Sequence, residues 1–421
     1  MSTQKMDIKT MEKLPAFLGE VDVIKSIQVL PGVSSVGEGS SGFNVRGGSV
    51  GQNLVLLDEA PVYNSSHLLG FFSVFNPDAV KDVTLIKGGI PARYGGRIAS
   101  ILDVRMKEGN SKKLAAQGGV GTIFSRLAIE GPLKKDKASF IVAGRRSYAD
   151  VFAKLFTDVL DDGAALNFWD LTMKANYNIN KKNRVYLSGY WGRDVFKFDE
   201  RQGFNWGNQT LTARWNHLFN DRLFSNFTFF FSDYDYELAF GDDDLDKFDW
   251  NSRIRNYDFK PEFTYYANQQ NKITFGGEAL FYEFEPANAV GVSNGEARDI
   301  TIDEKNALET SLYLANQQKI GTRLEIQYGL RFSNFLYLGP SDYYTFDNPE
   351  AGERRDVVET FSSDRWEVID AYRNFEPRLA INFQLNESSS LKASYNRTAQ
   401  YIHLVSNTTA SNPLDVWTPS T

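Results

Sequence analysis

Along most of the chain after Leu114, apolar and polar residues alternate one by one. Between Thr322 and Ser333, Leu324, Ile326, Tyr328, Leu330 and Phe332 share one face, while Arg323, Glu325, Gln327, Arg331 and Ser333 share the other. Residues 375–385 repeat the pattern, with Phe375, Leu379, Ile381, Phe383 and Leu385 opposed to Glu376, Arg378, Asn382 and Gln384. In residues 256–265, Tyr257, Phe259, Phe263 and Tyr265 oppose Asn256, Asp258, Lys260, Glu262 and Thr264. A period of two belongs to β-strands with two unlike faces. Strands are therefore predicted at 171–179 and 273–281 too. Weaker versions lie at 120–130, 140–146, 184–191, 211–219, 223–235, 308–317 and 391–396.

The connections alternate as well. Residues 180–183, 219–222, 267–272, 319–322 and 386–390 read as tight polar turns, and 192–208, 239–251, 285–305 and 336–371 as long polar loops. Short turns at one rim and long loops at the other mark transmembrane barrels, whose tilted strands need about 9–11 residues to cross a bilayer. A soluble antiparallel sandwich also alternates. Its core would exclude the full charges on these polar faces, which a wet lumen accepts.

Up to Asn110 the pattern differs. Residues 18–30 read as a short amphipathic helix with Val21, Ile24 and Ile27 on one face, stopped by Pro31 and Gly32. Short β-like runs follow at 43–46, 54–57, 83–86 and 101–104, separated by Gly, Pro and Asn turn signals. This is a small α+β unit. The expected organisation is residues 1–110 as that unit and 111–421 as barrel wall, so the fold is mainly β.

Composition sharpens this picture. The chain is 14% aromatic yet 24% charged, with a mean hydropathy of −0.38. Aromatics scattered among polar residues suit strands with a greasy and a wet face. No run approaches the roughly 18 apolar residues of a membrane helix. A net charge of −7 over 421 residues gives no nucleic-acid footprint. The absence of cysteine excludes disulfides and thiolate metal sites, and three scattered histidines make a multi-histidine metal site unexpected. No nucleophile–base–carboxylate arrangement is apparent, so neither catalysis nor a cofactor is expected. Met1–Met6 lacks a signal-peptide pattern, which favours a chain that begins downstream of its true start.

The most specific stretches are Phe43–Gly48, Asn53–Asp58, Val80–Gly89 and Ala92–Gly96. In that order they resemble the plug domain of TonB-dependent outer-membrane transporters, and the resemblance extends over the whole chain. The matching positions are Arg46 and Gly47 after a strand, Asp58 and Pro61 at a turn, Lys87 and Gly88 ending a strand, then Tyr94, Gly95 and Gly96. Glu59 stands where that turn usually has glycine. Residues 56–64 and 391–404 look most like the Bacteroidetes branch of the family. The resemblance implies a plug inside a barrel that closes with about 22 strands. It also implies an unknown nutrient ligand bound from outside (siderophore, glycan, peptide or similar), contact with outer-membrane lipid, and TonB pulling an N-terminal segment that would precede Met1. A surface lipoprotein lid is a further partner it suggests. Arg46 is expected to pair with Asp58 or with a wall carboxylate, and Tyr63 and His67 to touch substrate. Phe71 and Phe72 are expected to pack against the wall.

Other motifs weigh less. Gly37–Gly42 fits G-x-G-x-x-G but precedes a strand rather than opening a helix, so it reads as a loop. Gly241–Asp246 lacks the glycine and glutamate of a calcium loop at the later positions and reads as a solvated acidic loop. Trp191, Trp206 and Trp215 are expected in interfacial belts. Residues 111–421 supply about 12 of the 22 strands, so the chain is expected to be a fragment with an open sheet edge. A passive porin and a soluble carbohydrate-binding or hydrolytic β-protein are the rival readings.

Overall fold

The computed structural model describes the chain except Met1, residues 15–19, 38–41, 149, 151–163, 198–201, 242–245, 294, 348–354, 406–415 and Thr421. The G-x-G-x-x-G motif and the acidic loop therefore fall largely outside the described residues.

The alternating segments form one antiparallel sheet of 14 strands. Its path runs as a meander from Ala115–Val120 to Ser390–Asn396, with Glu296–Ile302 as a side branch on Asn271–Ser293. The first edge strand, Ala115–Val120, reads AAQGGV and carries no apolar period that sequence reasoning could use. Among the described residues the two end strands are not paired with each other, and the sheet they bound is open.

Side chains follow the pleat. Leu330 is 46% exposed on the outer surface, while its neighbour Arg331 is 0% exposed on the inner one. Leu312, Leu314, Phe259 and Phe375 lie outward; Thr172, Lys174, Asn256, Asp258, Ser333 and Glu376 are buried inward. Apolar-out and polar-in suits lipid outside and a filled, wet interior.

The five tight turns occur where predicted, between strands ending at Asn180, Leu218, Tyr266, Ile320 and Gln384 and their successors. The long loops are largely strand. Lys247–Tyr266 and Asn271–Ser293 span 20 and 23 residues, well beyond a bilayer crossing. Beyond the apolar band their outward positions carry Arg253, Arg255, Glu283 and Glu285, which pair with one another or with Asp233. Where the outer face meets water the apolar period disappears, although the hydrogen-bonded ladder continues.

Inside the wall sits a five-stranded sheet. Its order is Thr3–Asp7, Val80–Ile86, Ser100–Met106, Asn53–Leu57 and Ala60–Pro61. The helix is only Val23–Gln28, because the Asp22 carboxylate accepts from the Lys25 N–H at 2.9 Å and fixes its start. Val23, Ile24 and Ile27 pack on Phe43, Val45, Leu57, Leu85, Leu102 and Val104 to form the core of this unit. The strand at 43 ends at Val45, since Arg46 turns into the left-handed region at φ 52°.

Candidate functional site

The functional geometry lies where the inner unit meets the wall. Much of that contact consists of wall side chains donating to carbonyls of the inner unit. Ser232 Oγ reaches Pro61 O at 2.7 Å, Asn208 Nδ2 reaches Asn64 O at 2.7 Å, and Arg145 Nη2 reaches Ser73 O at 2.9 Å. Arg378 spans Ile90 O and Tyr94 O, each at 3.2 Å. Such bonds contribute about 0.5–1.5 kcal/mol each and can be exchanged singly for water. Apolar contact is also present, in small clusters such as Phe72 with Phe124 and Phe168 and Ala79 with Ala128 and Ala143, and in a larger aromatic cluster around Trp206, Tyr234, Tyr282 and Trp417 on which Tyr63 packs.

Asp58 lies at the centre of one buried junction. It accepts from the Met106 N–H at 3.0 Å and pairs with Lys174 of the wall at 2.7 Å. Asp58 and Glu59 form the turn between Asn53–Leu57 and Ala60–Pro61, with φ 47° and 85°. Glu59 adopts a conformation suited to glycine because its carboxylate is held, 2.7 Å from Arg105 and 3.8 Å from Arg214. Burial pushes that carboxyl up, but Arg105, Lys260, Arg93 and Arg214 outweigh it and hold Glu59 well below the usual carboxylate range.

Among the described residues Arg46 has no carboxylate partner of the kind expected. Its guanidinium donates to Ser2 Oγ at 2.9 Å, beside the N-terminal strand, so it ties the segment preceding Thr3 to the sheet. Gly47 follows it at φ 82°. A Cβ on Gly88 would lie 2.8 Å from Arg46 Nη1, at the tip of that side chain. Lys87 donates to Pro31 O at 2.6 Å; burial, and then Arg46, lower its pKa. Arg46, Gly47, Lys87 and Gly88 thus gather at the N-terminal strand, away from Asp58.

Tyr94, Gly95 and Gly96 lie against the wall. Tyr94 is buried and donates to Asp103 at 3.2 Å, and burial pushes its hydroxyl up to about 12. A Cβ on Gly95 would meet Arg331 Nε at 2.5 Å, while Gly96 takes φ 73°. Arg331 in turn is 2.5 Å from Glu278. Sequence reasoning missed Lys174, Arg145, Arg331 and Arg378; their signal was a full charge on the inward face of an alternating strand.

Tyr63 and Arg97 line two crevices, one shared with Trp417 and the other with Asn256, Tyr282 and Glu309. The Tyr63 hydroxyl accepts from Asn256 Nδ2, the ring meets Trp417 edge-on at 5.1 Å, and burial pushes the hydroxyl's pKa up to about 12. Trp417 comes from a hairpin, Ile402–Val405 with Val416–Pro419, which folds back over the inner unit. His67, in contrast to expectation, is sealed from any substrate at 1% exposure. Its Nδ1 is 2.6 Å from Asp194 Oδ2, and its Nε2 is 3.1 Å from the Tyr190 hydroxyl. Phe72 packs as expected, but Phe71 is exposed. Trp191 and Trp215 lie on the outer surface, whereas Trp206 is 1% exposed inside and directs its Nε1 toward Ser66 O at 3.4 Å. An indole in an interior lined by carbonyls finds a partner there.

A small α+β unit filling a polar-lined transmembrane wall matches two family models. Residues 1–100 match the TonB-dependent receptor plug domain, and residues 139–412 the TonB-dependent receptor-like β-barrel. The chain belongs to the TonB-dependent receptor family. As in that family, its strands are those of an outer-membrane β-barrel. Among solved structures, this receptor is similar to the copper transporter OprC, with TM-score 0.68, 13% identity, and coverage of 94% of this chain and 64% of that one. It is also similar to the siderophore receptor PirA from Acinetobacter baumannii, at TM-score 0.66 and 15% identity over 95% of this chain and 61% of that one. A third likeness is to the ferric citrate transporter FecA, at TM-score 0.66 and 12% identity over 95% and 63%. The chain thus spans less than two thirds of these receptors' length. No curated protein matches it in sequence.

Proposed function

We propose that this receptor takes part in energy-coupled uptake of a scarce or large nutrient by displacement of its plug. Residues 1–110 act as that plug in this proposal and 111–421 as part of the wall. The observation that supports it best is the chemistry of the plug–wall contact. Wall donors hold plug carbonyls one at a time, at Pro61, Asn64, Ser73, Ile90 and Tyr94. Such an interface yields to a pull stepwise, whereas an apolar seal of equal area would have to part at once. On this reading TonB pulls a segment ahead of Thr3, and Arg46 and Lys87 stand at the strand that receives the force. Substrate arrives at the opposite rim, near Tyr63 and Arg97. Siderophores, copper and ferric citrate are named for the structural neighbours, and the same broad class of scarce nutrient is proposed here. A lipoprotein lid and membership of the Bacteroidetes branch rest on the resemblance in residues 56–64 and 391–404 alone.

The test is a tether. The chain has no cysteine, so a cysteine pair at positions 64 and 208 would be its sole disulfide. Uptake by cells producing the tethered receptor should stop under oxidation and resume on reduction. Uptake unaffected by the closed tether would contradict plug displacement, and a steady ion conductance without TonB would favour a passive porin.

A further inference from the structure

His67 is the one histidine of the plug, and the wall encloses it. Its ring stacks on Phe168 at 4.3 Å with an interplanar angle of 11°. Nδ1 lies 2.6 Å from Asp194 Oδ2, and Nε2 lies 3.4 Å from Asp170 Oδ2 and 3.1 Å from Tyr190. Asp170 also receives Arg145 Nε at 2.7 Å, and the other Asp194 oxygen receives the Leu68 N–H at 2.7 Å. The titratable and charged groups facing the ring are therefore Asp170, Asp194, Tyr190 and, through Asp170, Arg145, drawn from three wall strands. All are essentially buried.

The charge count distinguishes two states. With an imidazolium the cluster holds two cations and two carboxylates. With a neutral imidazole Arg145 alone faces both carboxylates, and one buried negative charge is uncompensated. Hydrogen bonds survive the change, because Nδ1–H can stay on Asp194 while Tyr190 donates to Nε2. The cost of losing the proton is thus electrostatic, and it falls on a contact between plug and wall. The adjoining backbone is poised to move: Leu68 and Leu69 take φ 49° and 56°, where bulky residues are strained. The Asp194 carboxylate holds both the ring and the Leu68 N–H.

We propose that His67 is a proton-operated latch, which in its imidazolium form fastens the plug segment Tyr63–Val74 to the wall and in its neutral form loosens it. Burial lowers the ring's pKa, but Asp194 and Asp170 outweigh burial and hold it above the ordinary histidine value. A group raised on folding stabilises below its unfolded pKa and loses that contribution as pH rises through its folded one. The latch is therefore closed in mildly acidic medium and opens toward alkaline pH. It concerns retention of the plug, so it stands or falls separately from the uptake proposal.

The test uses the full chain in detergent or bilayer. Only three histidines are present, so ring-carbon NMR can follow His67, His217 and His403 individually between about pH 5 and 9. His67 should titrate above the ordinary histidine value. Hydrogen exchange over residues 63–74, corrected for intrinsic rate, should then lose protection across the same midpoint, by about tenfold for each unit of elevation. Protection of Ser100–Met106 should not change. In His67→Gln the segment's protection should be flat with pH. If that variant does not fold, His217→Gln and His403→Gln still assign the His67 resonance by elimination. A His67 ring neutral or charged throughout the range, or wild-type protection independent of its titration, overturns the proposal.

Discussion

Replacing Glu59 by glycine sets two opposing effects against each other. The wild-type residue holds φ 85°, which costs an L side chain roughly 1–2 kcal/mol and costs glycine little. Against that gain, Arg105 loses a carboxylate 2.7 Å away, with the two side chains only 21% and 16% exposed. Removing one partner of a buried pair costs about 3–5 kcal/mol; this partial exposure places the cost toward the lower end. The electrostatic loss exceeds the backbone gain by about 1 kcal/mol or more. Amide exchange at Asp58 and Met106, whose N–H groups bond to Val104 O and Asp58, should therefore quicken about fivefold. Glu59→Gln, which keeps the backbone strain and loses the charge, should be worse than Glu59→Gly. The Glu59 carboxyl is depressed on folding, so its contribution is present above the ordinary carboxylate pKa and lost as pH falls through the folded value. The difference between wild type and Glu59→Gly should persist at neutral pH and reverse in strong acid, where only the backbone gain of glycine remains. Exchange in Glu59→Gly as slow as in wild type would refute the argument that the carboxylate secures this turn.

Three further outcomes are expected. Gly95→Ala places a Cβ against Arg331 Nε, separates Arg331 from Glu278, and should speed exchange across 90–97 while leaving the outer strands unchanged. Asp58→Ala leaves Lys174 buried without its anion and should destabilise the plug by about 3–5 kcal/mol; the double replacement with Lys174→Met should recover part of that loss in a mutant cycle. Leu330→Arg puts a charge on the lipid face and should cost about 2–4 kcal/mol near the bilayer midplane, measured by refolding into vesicles.

The wall was legible because lipid imposes a strict outer face. Wherever Tyr328, Leu330 or Phe375 meets hydrocarbon, the period of two is visible in the sequence. It stopped being legible where the outer face returns to water, as around Arg253, Arg255, Glu283 and Glu285, and the strand residues 247–251 and 285–293 were read as loop. Ala115–Val120 escaped for lack of any large apolar side chain. Within the plug, the turns at Asp58 and Pro61 and the glycines at 88, 95 and 96 marked the positions that approach other groups closely. The identity of those groups was not legible. Arg46 meets Ser2, Asp58 meets Lys174 and His67 meets Asp194, and the last two are pairings across more than a hundred residues, with no local signature. Trp206 was misplaced for a related reason: strand-end tryptophans look alike until the pleat fixes which way each points.

The central claim concerns orientation: apolar side chains toward lipid, polar ones toward a plug held inside. The cysteine-free chain allows single spin labels at Leu312, Leu330, Ser311 and Ser333 in bilayers. Labels at Leu312 and Leu330 should collide freely with oxygen and be shielded from a water-soluble relaxation agent, while those at Ser311 and Ser333 should be immobilised and shielded from lipid. Labels at 312 and 330 that meet the aqueous agent, or labels at 311 and 333 that report hydrocarbon, would contradict the account.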